Sequence, residues 1–255
     1  MRLDDRDVTR VLFHPRGEGW GSKPRGIATT TRVAEANIGG YLHPNEASDA
    51  LLLFFHGNGE VAADYDPLAD LYTGGGASFW VVDYRGYGQS SGRPSYSCLI
   101  ADAEAFIDSL AEVEKTVQRS FRRVLVMGRS LGSAPALHLA ARYPGKVSGL
   151  ILDSGFACVR DLIARIGGPK LGPDAMEGAP DNIDRMALCS APTLILHGMD
   201  DQLIPFSDAE ALCQACRSPV RRLVPIPGAG HNDLLSEGYA DYRAALWEHI
   251  ARATA

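Results

Sequence analysis

The chain has 255 residues, of which 45% are hydrophobic and 22% charged, and it carries a formal net charge of −6. That length allows one large domain or two small ones with a substantial buried core, and the composition is that of a water-soluble globular protein. The acidic balance offers no basic face to nucleic acid or to anionic lipid, so neither is expected as a partner.

The opening residues, Met1 to Arg10, are charged and lack an apolar centre, so they do not read as a secretory signal. No stretch approaches about 18 uninterrupted apolar residues, and no membrane span is expected. The five cysteines (Cys98, Cys158, Cys189, Cys213 and Cys216) are odd in number and scattered, which fits reduced thiols in the cytoplasm better than a disulfide framework. With no repeat, low-complexity tract or linker, residues 1–255 are expected to form a single domain.

Residues 10–48 carry short β-rich pieces, VLFHP, IATTTRV and IGGYLHP, separated by Gly, Pro and Asn, which suggest an antiparallel meander. Leu51 to Phe55 is a continuous apolar run, the mark of a strand covered on both faces. It ends in His56-Gly57-Asn58-Gly59-Glu60, after which Asp66-Pro67 is the expected start of a helix, with Asp as cap. Ser78 to Val82 is the next buried strand, ending in Asp83-Tyr84-Arg85-Gly86-Tyr87-Gly88. Leu99, Ala103, Phe106, Ile107, Leu110, Val113 and Val117 then recur at helical spacing, predicting one long amphipathic helix over 96–118. Further strands are expected at Val124–Met127, Val147–Leu152, 193–196 (TLIL) and Arg222–Ile226, with a closing helix from Leu234 to Ala253. Buried strands alternating with helices imply a parallel sheet with right-handed crossovers, and ligands bind such sheets outside the carboxyl ends of the strands. Residues 156–191 break the alternation with a helical piece and a Gly/Pro-rich piece, and are read as a small cap over the site.

The chemistry centres on Gly128-Arg129-Ser130-Leu131-Gly132, a G-x-S-x-G turn between a buried strand and an apolar-periodic helix. A strand turning directly into a helix forces its central residue into strain of roughly 1–3 kcal/mol. Small flanking residues let the strand and helix pass closely, and the serine hydroxyl is lifted to the sheet tip beside N–H groups of the helix start. A serine needs a base to take its proton and a third group to orient that base. Of the seven histidines, His231 sits in a Gly-rich loop after the last strand, free to reach a neighbouring strand end. His56 and His197 each precede a glycine at a strand end and are read as loop braces, while His43, His138 and His249 are read as structural or surface groups. Asp153, Asp200 and Asp201 all lie at strand ends, and each could equally cap a turn. For a developing oxyanion, Leu131 N–H supplies one donor. The loop His56–Gly59 is the source of a second, through the backbone of Asn58 or of Gly57, unless it is an ordinary glycine turn.

In order and spacing, these pieces resemble the α/β-hydrolase superfamily from about residue 25 to residue 250: FFHGNGE, DYRGYGQSSG, GRSLGS, LILHGMDDQLIP and PGAGHND. The resemblance implies a mostly parallel sheet of about eight strands flanked by helices, with a small cap insertion at 156–191. It implies Ser130 as nucleophile, His231 as base, Asp201 as the orienting acid and Asn58 with Leu131 as oxyanion donors. It further implies hydrolysis of a small carboxylic ester with no metal or organic cofactor and no specified oligomeric state, and a cap this small, too short for a deep lipid tunnel, points to a short or medium acyl chain. Thioester or peptide hydrolysis by the same triad is the alternative, and a non-catalytic ligand-binding relative a further one. The HGN loop and RGYG segment are similar to those of bacterial esterases and of α/β-hydrolase-domain depalmitoylases. The chain departs from the latter in showing no N-terminal cysteine-rich acylation segment, which argues against a membrane-bound lipidated protein as substrate. Ser133 stands where many relatives carry a second glycine, a change expected to be harmless. Cys213-x-x-Cys216 is read as two ordinary thiols, Arg85 and Tyr87 as loop braces, and Trp20, Trp80 and Trp247 as core or surface aromatics, with Arg129 unassigned.

Overall fold

In the computed structural model, which describes residues 2–19, 23–176 and 180–254, the chain begins with a helix, α1 (Arg6–Leu12). A hairpin follows, β1 (Ile27–Val33) paired antiparallel with β2 (Ala36–His43). Six further strands complete one sheet: β3 (Ala50–Phe55), β4 (Ser78–Val82), β5 (Arg123–Arg129), β6 (Val147–Asp153), β7 (Thr193–Gly198) and β8 (Arg221–Ile226). The spatial order is β1-β2-β4-β3-β5-β6-β7-β8, parallel from β4 to β8, with β2 running antiparallel to β4. Strand ends fall within one or two residues of those read from the apolar runs.

Continuous apolar runs are needed because both faces are covered. Along β3, Leu51, Leu53 and Phe55 enter one core while Leu52 and Phe54 enter the other. The first core takes α3 (Tyr96–Asp108), α5 (Ser133–Arg142) and α8 (Phe206–Ala215); the second takes α2 (Ala69–Thr73) and α9 (Leu234–Thr254). The chain steps from β3 outward to β4, then returns to lay β5 on the other flank of β3. Loops leaving β3 and β5 therefore open a crevice at their carboxyl ends, the usual ligand position in such sheets.

Three local expectations are corrected. VLFHP is not a strand: Val11 and Leu12 end α1, which buries Val8 and Leu12 one turn apart. The helix expected over 96–118 is two helices, α3 and α4 (Leu110–Val117), broken at Ser109, whose hydroxyl donates back to Phe106 O and meets Thr31. Asp66 caps no helix. Its carboxylate accepts from Arg25 N–H and Gly26 N–H instead, and a 3₁₀ turn (Ala62–Leu68) leads into α2. Residues 156–191 contain α6 (Val159–Arg165), a 3₁₀ turn at Pro173–Met176 and α7 (Asn182–Met186), which packs on α5 and α8. Trp80 lies wholly in the core and Trp247 donates its indole N–H to Leu71 O at 2.7 Å, whereas Trp20 is outside the described residues.

Candidate active site

Ser130 follows β5 at φ +51°, in the left-handed region that non-glycine residues avoid. The turn closes because its flanks are bare: a Cβ on Gly128 would lie 2.1 Å from Gly132 O, and one on Gly132 2.1 Å from Phe55 O. Leu131 heads the following helix, where first-turn N–H groups lack intrahelical acceptors. Ser133 is more than a small filler. Its hydroxyl donates to Ser130 O at 2.7 Å and accepts from Asn182 Nδ2 at 3.2 Å, tying the elbow to α7.

His231 arrives from the loop after β8, which lies across the end of β7 through Asp200 N–H to Ala229 O at 2.9 Å. Its ring joins Ser130 and Asp201, with Nε2 2.9 Å from Ser130 Oγ and Nδ1 2.7 Å from Asp201 Oδ2. A carboxylate oxygen only accepts, so the ring proton belongs on Nδ1 and Nε2 presents its lone pair to the serine hydroxyl. Asp201 Oδ1 is held in turn by Leu203 N–H and Ile204 N–H at 2.9 and 2.8 Å. Burial alone would push the Asp201 carboxyl up, but the hydrogen bonds from His231 and Ile204 outweigh it and hold the group below the ordinary carboxylate range. Neither other aspartate reaches the ring: Asp200 is exposed, and Asp153 accepts from Ser154 Oγ and Tyr242 OH.

None of the other histidines reaches Ser130 Oγ, although His197 Nε2 comes within 3.5 Å of Asp201 Oδ2 and His14 lies against Asn58. His56 Nδ1 lies 2.8 Å from Gly57 O and His197 Nε2 2.7 Å from Ile204 O, both inside their own loops. His138 pairs with Glu104, His43 lies beside Asp66, and His249 is buried in α9.

Asn58 is fastened from an unexpected direction. Its Oδ1 accepts from His14 N–H at 2.9 Å and from Tyr87 OH at 2.7 Å, while its Nδ2 donates to His14 Nδ1 at 2.7 Å. With the side chain consumed, the Asn58 backbone N–H donates to no acceptor among the described residues. Arg16 adds a second anchor, donating to Gly59 O at 2.6 Å and pairing with Asp64. Residues 13–16 carry no motif, so nothing local in the sequence marked them as neighbours of the site. Tyr87 braces the loop as expected, and Arg85 forms a two-pronged pair with Asp102.

Arg129 spans the site. Its Nη1 pairs with Glu60, and its Nη2 donates to His231 O and to Asn232 Oδ1, both at 3.0 Å. Glu60 Oε2 in turn accepts from Gly57 N–H and Tyr65 OH at 2.6 Å each. Burial disfavours the guanidinium charge, but Glu60 and Asp153 more than offset it and keep the group protonated. Ser130 opens on a cavity with about 780 Å³ of empty space, partly open to solvent and walled by Val11, His14, Ile166, Leu203 and Asn232. Cys213 and Cys216 are free thiols away from this cavity, and among the described residues no cluster of three or more His, Cys, Asp or Glu is arranged to hold a metal. No described helix is long and apolar enough to cross a membrane.

Residues 46–171 match the family described as "Serine aminopeptidase, S33". The chain is 35% identical over 207 residues to alpha/beta hydrolase domain-containing protein 17B of Xenopus laevis, and 34% identical to its Homo sapiens counterpart. Each alignment covers 79% of this chain, which spans 66% of the relative's length. Among solved structures, an esterase of Pyrococcus furiosus superposes with a TM-score of 0.77 at 16% identity, over 96% of this chain and 97% of that one. A monoglyceride lipase of Saccharomyces cerevisiae superposes at 0.68 and 17% identity, over 95% and 100%.

Proposed function

The chain belongs to the α/β-hydrolase superfamily, and from that premise we propose that it is a serine hydrolase of carboxylic esters working through Ser130, His231 and Asp201. The observation that carries the proposal is the unbroken relay Ser130 Oγ–His231–Asp201 at 2.9 and 2.7 Å, with the serine bordering an open cavity. Ser130 attacks the ester carbonyl as His231 Nε2 takes its proton. Asp201 holds the imidazolium that forms, and the same proton then goes to the leaving alcohol. Negative charge on the tetrahedral oxygen is met by the N–H groups of Asn58 and Leu131, each worth on the order of 10²–10³ in rate. Water, activated by His231, releases the acyl group.

Val11, Ile166 and Leu203 make the cavity wall partly apolar, which suits a short or medium acyl chain. Ile166 on the cavity wall supports reading residues 156–191 as a small cap over the site. The serine aminopeptidase match favours amide hydrolysis by the same relay as the second reading.

The test is a rate series on p-nitrophenyl esters of rising chain length, beside a thioester and an aminoacyl anilide, together with fluorophosphonate labelling. Ser130→Ala is expected to abolish labelling and to lower kcat by about 10⁴–10⁶. Labelling that persists, or a loss of a few-fold, would overturn the assignment in favour of a binding protein. Faster turnover of the anilide than of any ester would move the reading to a peptidase.

A further inference from the structure

The proposed chemistry uses groups on three separate loops: the turn after β5, the loop after β3 and the loop after β8. Their relative placement has to be held to a fraction of an ångström, since a 1 Å error can cost about 10² in rate. Hydrogen bonds within each loop cannot supply this. Arg129 connects all three: its backbone leads directly into the nucleophile, and its guanidinium pairs with Glu60 of the β3 loop and grips His231 O and Asn232 Oδ1 of the β8 loop. Glu60 carries the connection onward to Gly57 N–H, the peptide that precedes the Asn58 N–H by one residue, and to Tyr65 on the far side.

We propose that the Arg129–Glu60 pair is a positioning device that holds the His231 loop and the Asn58 loop in register about Ser130. The inference rests on the serine-hydrolase reading for its kinetic consequences but not for its geometry. Arginine is required by shape as well as charge. Its planar fork aims Nη1 at a carboxylate and Nη2 at two further acceptors at once, which a lysine ammonium on a flexible stem cannot do in fixed directions. The pair is largely shielded, with side chains 15% and 25% exposed, so water does not readily replace a lost partner. The space on Gly57 is also claimed: a Cβ there would lie 2.6 Å from Arg129 Nη1 and 2.9 Å from Glu60 Oε2. A side chain at 57 would therefore have to push the tips of the pair aside. Arg129 borders the cavity beside Ser130, but its guanidinium is engaged by Glu60, His231 O and Asn232 Oδ1, so the pair acts through His231 and the Asn58 peptide.

The experiment compares wild type, Arg129→Lys and Glu60→Gln, each with thermal denaturation as the fold control. In both variants kcat on a p-nitrophenyl ester is expected to fall about 10- to 100-fold with KM changed less than about threefold. Independently of activity, the low-field proton resonance of the His231 Nδ1–H hydrogen bond to Asp201 is expected in wild type. It should broaden or vanish in Arg129→Lys. Retention of both kcat and the resonance in a folded Arg129→Lys protein would overturn the proposal, as would a kcat loss matched in full by loss of folded protein. A wild type inactive on every ester would count against the serine-hydrolase reading, and the resonance alone would then decide whether the pair positions His231.

Discussion

Asp200 and Asp201 are chemically the same residue one position apart, yet Asp200 is exposed and Asp201 is 5% exposed with both carboxylate oxygens hydrogen-bonded. An amide at 201 could accept from the two backbone donors but could not hold the protonated Nδ1 of His231 with a full negative charge, and it permits the wrong tautomer. Asp201→Asn is therefore expected to lower kcat by about 10⁴ while Asp200→Asn stays near wild type, as measured by ester hydrolysis. The reverse ranking would move the acid to the other side chain. As the proposed base, His231 is singled out among seven histidines by its place in a Gly-rich loop after the last strand. The proposed acid, Asp201, is singled out only by the superfamily pattern or by the coordinates, because three aspartates end strands and local sequence does not say which way a side chain faces.

Among the elements, the strand–turn–helix around Ser130 is the one whose form follows most directly from residue types. Bare α-carbons at 128 and 132 admit the close passage of β5, α5 and the end of β3, and only then can a serine at φ +51° be tolerated. Gly132→Ala would drive a methyl group into the Phe55 carbonyl, backbone that cannot swing aside. It is expected to cost about 1–3 kcal/mol through overpacking, seen as a lowered Tm, and to depress activity with it. Gly145→Ala, with nothing within 4 Å of the added Cβ, is the control and should leave Tm unchanged. If the two behave alike, the close approach at the elbow is not limiting. Elements set by longer-range partners were less legible. The break at Ser109 answers to Thr31 across the sheet edge, and Asp66 is drawn from a helix cap to the peptides of Arg25 and Gly26.

For the molecule as a whole, a buried group far from the cavity sets part of the acid response. His249 in α9 is 7% exposed, and burial, with Arg252 nearby, lowers its ring from 6.5 to about 4. Above pH 6.5 the ring is neutral in both folded and unfolded chains and contributes no pH dependence. Between pH 6.5 and 4 the unfolded chain binds a proton that the folded one refuses, so stability falls as pH falls through that window. The loss amounts to about 3 kcal/mol at most, and below pH 4 it grows no further. His249→Gln removes the titration, so urea midpoints measured at pH 7 and pH 4.5 should differ less for the variant than for wild type. Equal differences would assign the acid response between pH 7 and pH 4.5 to other groups; the Asp201 carboxyl is not among them, because its lowered value makes its contribution fade only at more acidic pH.

The strands, their two-sided burial and the sequence of loops at their carboxyl ends were readable from the chain, because apolar periodicity and glycine placement act between near neighbours. The same local physics marked Ser130 and His231. What folding decided was which distant groups meet. His14 holds Asn58 across 44 positions, Arg129 reaches Asn232 across 103, and Asn182 meets Ser133 across 49. Such contacts leave no periodic trace, since each partner's own strand, helix or loop satisfies its local preferences with or without the other. They become determinate only when the packed sheet brings the ends of β3, β5 and β8 together and excludes the water that would otherwise satisfy those polar groups.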